Sequence, residues 1–258
     1  MIEQGNKKDN DTSWGGVASW YDSLLENDSD SYQSKLISPH LLRLVAPQKD
    51  ERLLDLACGQ GIFSREFAKS GAEVIGVDIA PELISIAKKN SPQSVHFFVS
   101  SAEKLPFIES ASVHKLVIVL ALQNIENVDV VFSECRRVLK KGGKIFLVLN
   151  HPAFRIPKES SWGFDAEKKV QYRRVDQYLS EAKVKIDMNP GKEPKKFTLS
   201  FHRPLQFYFK QLVKNNFSIT RLEEWNSHKV SEKGPKKEAE DRARKEIPLF
   251  LFLEGKAE

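Results

Sequence analysis

Cysteine is scarce in this sequence, with Cys58 and Cys135 the only two. They supply neither a disulfide framework nor metal-ligand spacing, which excludes a stapled secreted scaffold and a zinc module. Long apolar runs are missing as well. The longest, 116–122 and the proline-containing 247–253, fall well short of the roughly 18 residues that cross a bilayer. Residues 1–16 also lack the apolar core of a secretory signal. These absences lead to the expectation of a cytoplasmic chain with no transmembrane segment and no bound metal. Charge of one sign is absent too: 40 Lys and Arg against 35 Asp and Glu leave +5. The two signs alternate along the chain, which disfavours a nucleic-acid partner and leaves only a weak bias toward anions.

What the chain does have is enough apolar material for a core, 40% of 258 residues. At about 150 residues per domain, one large domain with an insertion fits that length as well as two small ones. Apolar and aromatic residues recur at helical spacing over 17–25 and 32–45, and Pro47 closes this segment. Short apolar runs then alternate with amphipathic stretches. Residues 53–57, 74–77, 95–99, 113–120 and 145–149 read as strands, and 62–70, 81–89 and 128–139 read as helices. Runs without strict alternation are buried on both faces, which predicts a parallel sheet wrapped by crossover helices. Lys141, Gly142 and Gly143 read as a break between the helix ending near Leu139 and the next strand.

After Asn150 the pattern lapses. Residues 151–203 are too long for an ordinary connection, and so read as a lid or small inserted subdomain. Regularity returns with a helix over 205–213 and strands over 217–225 and 249–254, while charge-dense 229–246 reads as a solvated face or loop. The expected organisation is an N-terminal helical segment over 1–46, an α/β core over 47–150, an insert over 151–203 and the rest of the core over 204–258.

The most informative run is Leu53-Leu54-Asp55-Leu56-Ala57-Cys58-Gly59-Gln60-Gly61. A buried strand ends in small residues and two glycines just before a helix, where backbone can approach a ligand and present amide N–H groups. The turn alone is equally a tight strand-to-helix connection. At the end of the next strand, Val74-Ile75-Gly76-Val77-Asp78, a carboxylate stands where it can accept both hydroxyls of a ribose. Asp78 can also cap the helix that follows. The third glycine of the dinucleotide fingerprint is absent, since Ile62, Phe63 and Ser64 follow Gly61. A nucleoside ligand without a pyrophosphate fits better.

With these residues the chain resembles the class I S-adenosylmethionine-dependent methyltransferases, particularly the small-molecule group that includes ubiquinone and menaquinone biosynthesis enzymes. The resemblance rests on 54–61, on Gly76-Val77-Asp78, on Ala102-Glu103-Lys104-Leu105-Pro106-Phe107, on Leu120-Ala121-Leu122-Gln123-Asn124 and on Arg137-Val138-Leu139-Lys140-Lys141-Gly142-Gly143. It covers about 14–150 and, more loosely, 205–255. It implies a Rossmann-like, seven-stranded, mostly parallel sheet with helices on both faces, a helical preface closing over the cofactor and a lid inserted after the fifth strand.

In that pattern Asp55 orders the turn near the amino group of the methionine moiety. Ala57, Gly59 and Gly61, with Cys58 inside the turn, line the methionine and ribose. Asp78 holds the ribose hydroxyls with Ile79 against the adenine; Ala102 and Glu103 line its far side, and Leu120 and Ala121 end the fourth strand near the sulfonium. Two positions depart from the pattern. Ala57 replaces a frequent glycine, and Ser101 stands where an aspartate usually accepts from the adenine amine, which predicts weaker adenine recognition.

The acceptor is less legible, because methyl transfer from a sulfonium needs mainly alignment and exclusion of water. An Asn or Asp followed by Pro-Pro and an aromatic, the signal of amino-adenine methylation, is absent, and no cysteine pair suits RNA cytosine chemistry. Candidate catalytic residues are Tyr21 in the preface, Gln123, His151 after the fifth strand and His202 after the insert. Asn124, Arg155, Trp162 and Arg203 are the candidates for substrate binding. A histidine at the carboxyl edge of the sheet can remove a proton, and an arginine can pair with a carboxylate or phosphate. Equally, Tyr21 can be helix packing, His151 and Asn124 can cap chain ends, and Arg155 can face solvent. The leading expectation is methyl transfer to a small-molecule acceptor, aromatic or quinone-like, by a monomer or homodimer. An RNA or protein methyltransferase is the alternative, and a catalytically silent S-adenosylmethionine-binding protein the third.

Overall fold

The computed structural model describes residues 30–188 and 197–258. The expected helix over 17–25 lies outside them. A π-helical turn, Gln33–Ile37, runs directly into α1, Ser38–Val45. Ala46 ends it in the left-handed conformation at φ 41°, and Pro47 prevents its resumption.

Five strands then alternate with helices: β1 (Arg52–Leu56), α2 (Ile62–Ala68), β2 (Glu73–Asp78), α3 (Pro81–Asn90), β3 (Val95–Val99), β4 (Val113–Val119), a short 3-10 turn at Leu122–Asn124, α4 (Val128–Val138) and β5 (Leu139–Asn150). The insert contributes β6 (Ser160–Asp165), β7 (Val170–Val175), β8 (Ala182–Asp187) and β9 (Phe197–His202). The chain closes with α5 (Leu205–Lys214), β10 (Phe217–Trp225), α6 (Lys237–Glu246) and β11 (Phe250–Ala257).

The main sheet has the order β10-β11-β5-β4-β1-β2-β3. β1 to β5 are mutually parallel, and β11 enters antiparallel between β5 and β10. Both faces are buried, as the apolar runs require. Leu54, Leu56, Leu116, Ile118, Leu147 and Leu253 pack on one side with α4 and α5. Their sequence neighbours Leu53, Val117, Phe146, Val148 and Phe252 pack on the other with α1, α2 and α3. Each fully buried Leu or Phe there contributes roughly 1.5–3 kcal/mol of transfer free energy.

One expectation is revised and two are made specific. The break at Lys141-Gly142-Gly143 is a bulge inside β5: Val113 pairs with Leu139 but Lys115 with Lys144, so four residues of β5 oppose one of β4. The charge-dense stretch contains a helix, α6, which turns the small Ala239 and Ala243 inward and so leaves its charges in water. The insert is two separate antiparallel hairpins, β6-β7 and β8-β9. The first packs against α6 and the second against the 3-10 turn after β4.

Candidate active site

The carboxyl end of β1 turns sharply. Ala57, Gly59 and Gly61 all have left-handed backbone, at φ 58°, 56° and 75°. The turn is tied at both ends, with Cys58 N–H donating to the Val77 carbonyl at 2.9 Å and Gly61 N–H to the Cys58 carbonyl at 3.0 Å. The two glycines do different work. A Cβ on Gly59 would meet nothing within 4 Å, whereas one on Gly61 would lie 2.8 Å from Phe97 Cζ. Gly59 is therefore open to a ligand, while Gly61 makes room for a core ring from β3. The Cys58 side chain also points inward, since a Cβ on Gly76 would lie 3.1 Å from its Sγ. Only the Cys58 backbone borders the site.

Asp78 sits at the carboxyl end of β2 and is 8% exposed. Its Oδ2 accepts from Gly59 N–H at 2.9 Å and its Oδ1 from Ala80 N–H at 2.9 Å. Asp78 thus ties the chain just ahead of α3, whose N-cap residue is Ala80, to the open glycine. Burial raises its pKa against those hydrogen bonds. Asp55 lies deeper, accepting from Ser64 Oγ at 2.5 Å. Burial pushes its carboxyl up to about 7; the Ser64 hydrogen bond opposes this and the neighbouring Asp78 charge adds to it.

Nearby carbonyl oxygens remain unanswered. Among the described residues Gln60 Oε1 and Gln123 Oε1 are buried without a hydrogen-bond partner, a condition that native interiors seldom leave standing. Gln123 belongs to the turn after β4, where Leu120 adopts φ 52° and its carbonyl accepts from Gln123 Nε2 at 2.6 Å and Asn124 Nδ2 at 3.4 Å. The Asp78 carboxylate beside an open glycine suits a ligand rich in hydrogen-bond donors. Ile79, 42% exposed, supplies an apolar surface beside Asp78. Ser101 instead turns back on its own chain, Oγ accepting from Glu103 N–H at 3.2 Å, and Glu103 Oε1 accepts from Asn127 Nδ2. Ala102 and Ala121 are partly buried against the core.

The proposed acceptor residues are scattered. His151 is buried, its Nδ1 accepting from Ala153 N–H at 3.2 Å, so that Nε2 carries the proton and donates to Glu224 Oε1 at 2.7 Å. Burial lowers its pKa, with Glu224 pulling the other way. Neither ring nitrogen of His151 is free to take a proton in this arrangement. His202 is also buried and donates Nε2–H to the Tyr178 carbonyl at 2.8 Å. Arg203 is not arranged for substrate: its guanidinium donates to the carbonyls of Leu122, Ile125 and Glu126 at 3.2, 2.9 and 2.8 Å and so braces the turn after β4. Tyr21 lies outside the described residues. Arg155 and Trp162 do come together, in a cleft of about 260 Å³ that also takes in Tyr32, Arg173 and Arg244. The last two and Glu224 escaped sequence reading because only the fold brings them beside their partners.

Residues 54–147 match the family model for the methyltransferase domain. The chain is 32% identical over 151 residues to the biotin biosynthesis bifunctional protein BioHC of Cellvibrio japonicus, a match spanning 58% of this chain and 29% of that protein. It is 33% identical over 128 residues to the ubiquinone biosynthesis O-methyltransferase of Xanthomonas oryzae pv. oryzae, spanning 46% of this chain and 54% of that one. The chain thus spans about half or less of the length of the curated relatives it matches. The crystal structure of an S-adenosylmethionine-dependent methyltransferase from Mesorhizobium loti superposes with a TM-score of 0.68 at 25% identity, covering 84% of this chain and 96% of that one.

Proposed function

Given that the chain has the fold of the class I S-adenosylmethionine-dependent methyltransferases, we propose that it transfers a methyl group from that cofactor to a small-molecule acceptor. The observation that carries the reading is the clasp between the buried Asp78 carboxylate and the amide of Gly59, the glycine with open space before it. In this reading Asp78 accepts from ribose hydroxyls through lone pairs its two backbone donors leave over. The buried Asp55 carboxyl next to Asp78 favours the positive end of the same ligand. When bound, the cofactor supplies a sulfonium-activated methyl group open to in-line displacement.

The chain's own part is then to hold an acceptor atom about 3–3.5 Å from that methyl and keep water out. The hydrogen bonds of His151 support positioning over proton abstraction: Glu224 and Ala153 occupy both nitrogens. An acceptor already nucleophilic at neutral pH suits this site best.

Isothermal titration with S-adenosylhomocysteine tests the cofactor half. One-to-one binding is expected, weakened roughly ten- to a hundredfold in Asp78→Asn, the range for losing hydrogen bonds to a charged acceptor. Absence of binding by the folded wild-type protein would refute the proposal. Release of S-adenosylhomocysteine during incubation with acceptor panels tests the transfer itself.

A further inference from the structure

Three arginines line the cleft around Arg155. Arg155, in the loop after β5, stacks over the Phe250 ring with its guanidinium carbon 5.3 Å from the centroid. Arg173 of β7 stacks over Trp162 of β6 at 5.1 Å, and is fixed by donating from Nε to the Phe154 carbonyl and from Nη2 to Ser160 Oγ, both at 2.7 Å. Arg244 of α6 enters from a third side and donates from Nε to Ser231 Oγ at 3.1 Å. Among the described residues none of the three forms an ion pair with a carboxylate. Thirteen of the fifteen ion pairs among the described residues join an arginine or lysine to a carboxylate, so acids are not in short supply.

Three segments, the loop after β5, β7 and α6, therefore deliver like charges to one cleft, and two of those guanidiniums lie over aromatic rings. Arg155 is exposed at the edge of the cleft, while Arg173 and Arg244 are half-buried. Leaving such a set unpaired is unfavourable, and an incoming oxyanion removes the repulsion while making charge-assisted hydrogen bonds. The aromatic walls, Tyr32 and Trp162, give the remainder of a ligand a flat apolar surface. The volume of about 260 Å³ is just under the roughly 300–1,000 Å³ of small-molecule sites.

We propose that this cleft binds the anionic end of the acceptor, a carboxylate or phosphate carried on a flat apolar body. It lies at the carboxyl end of β5, next in the sheet to β4, whose end borders the open glycine turn. The anion is the anchor and not the reacting atom, because an oxygen that shares its lone pairs with guanidiniums is a poor nucleophile. The proposal rests on the methyltransferase reading only in naming the ligand as an acceptor; binding of an anion stands by itself.

The test uses benzoate, phenyl phosphate and neutral benzamide as probes, titrated into the full chain with and without S-adenosylhomocysteine. One or both anions should bind and benzamide should not; the stronger anion identifies carboxylate or phosphate as the source. Arg155→Leu, which removes a guanidinium with no role in bracing the backbone, should weaken the bound anion roughly ten- to a hundredfold. S-adenosylhomocysteine affinity should be unchanged. Arg244→Leu is the second variant, so that misfolding of one leaves the other decisive. Equal affinity for benzamide and the anions, no anion binding, or full anion binding by both variants would overturn the proposal. Anion binding without S-adenosylhomocysteine binding would leave the cleft intact and refute the methyltransferase reading instead.

Discussion

Replacing either glycine of the turn after β1 by alanine should separate its two tasks. At Gly61, a Cβ would lie 2.8 Å from Phe97 Cζ, 3.0 Å from Phe97 Cε1 and 3.2 Å from Ala87 Cβ, on a backbone held at φ 75°. The left-handed backbone costs a non-glycine residue about 1–2 kcal/mol. Overpacking of a closed core adds about 1–3 kcal/mol, so Gly61→Ala should lose roughly 2–5 kcal/mol in all. At Gly59 the added methyl meets nothing within 4 Å, which leaves only the backbone strain of about 1–2 kcal/mol. Ala57, already at φ 58° two residues earlier, shows that the fold accommodates alanine in that conformation.

Urea unfolding midpoints measure the stability difference and titration with S-adenosylhomocysteine measures the site. Gly59→Ala should stay folded yet bind less tightly, because its methyl occupies the space facing the ligand. Gly61→Ala should be the less stable of the two, and pairing it with Phe97→Leu should recover part of the loss, since the coupling between contacting residues is then relieved. Equal destabilisation by the two single changes, or no recovery in the pair, would refute the assignment of Gly61 to packing. Undiminished ligand affinity in Gly59→Ala would refute the assignment of Gly59 to the site.

The remaining predictions concern buried polar groups. Asp55, with its folded pKa raised to about 7, binds its proton more tightly folded than unfolded, so its contribution is present below about pH 4 and is lost as pH rises through 7. Asp55→Asn should remove up to about 4 kcal/mol of that downward slope in urea stability, with a residue left by Asp78, which shifts the same way; an unchanged slope would reject the buried-acid account. Arg203→Met should leave the carbonyls of Ile125 and Glu126 without the guanidinium, and that of Leu122 with only the Ile125 N–H, and cost about 2–4 kcal/mol in thermal melts, with partial rescue by Lys; a near-neutral effect would reject the bracing role. Burial raises both thiol pKa values, so Cys58 and Cys135 should resist maleimide at neutral pH until the chain unfolds, and rapid native labelling would contradict their placement.

The core strands were legible because each is an uninterrupted apolar run, and burial on both faces forces that composition. The glycine turn was legible as a site for a related reason: two glycines after a buried strand, followed by a carboxylate one strand later, form a local signal. Which glycine faced the ligand was not local, because it depends on Phe97 arriving from β3. The bulge at Gly142 shares its residues with a helix-to-strand break, and only pairing with β4 distinguishes them. The hairpins of the insert hide behind charged outward positions. One signal was available: Asp165 Oδ1 accepts from the N–H of Glu167 and Lys168, the local turn chemistry that an aspartate before a polar stretch provides. Nothing local marks Glu224 as the partner of His151, since they meet only when β11 lies between β5 and β10.

The distribution of charge gives the two halves of the site opposite characters. Around the glycine turn stand Asp55 and Asp78, both of them groups that favour a cation or a donor. Around the cleft after β5 stand Arg155, Arg173 and Arg244, which favour an anion. Either set alone carries a cost: burial disfavours the two carboxylates, and mutual repulsion disfavours the arginines. A ligand pair of opposite charge relieves both. The acidic set sits on β1 and β2, inside the methyltransferase-domain match, whereas the arginines come from the segment after β5, a hairpin of the insert and α6, outside it. On the reading proposed above, the nucleoside clasp and the acceptor cleft are built from different segments, so changing the insert should alter the walls of the cleft without touching the clasp between Asp78 and Gly59.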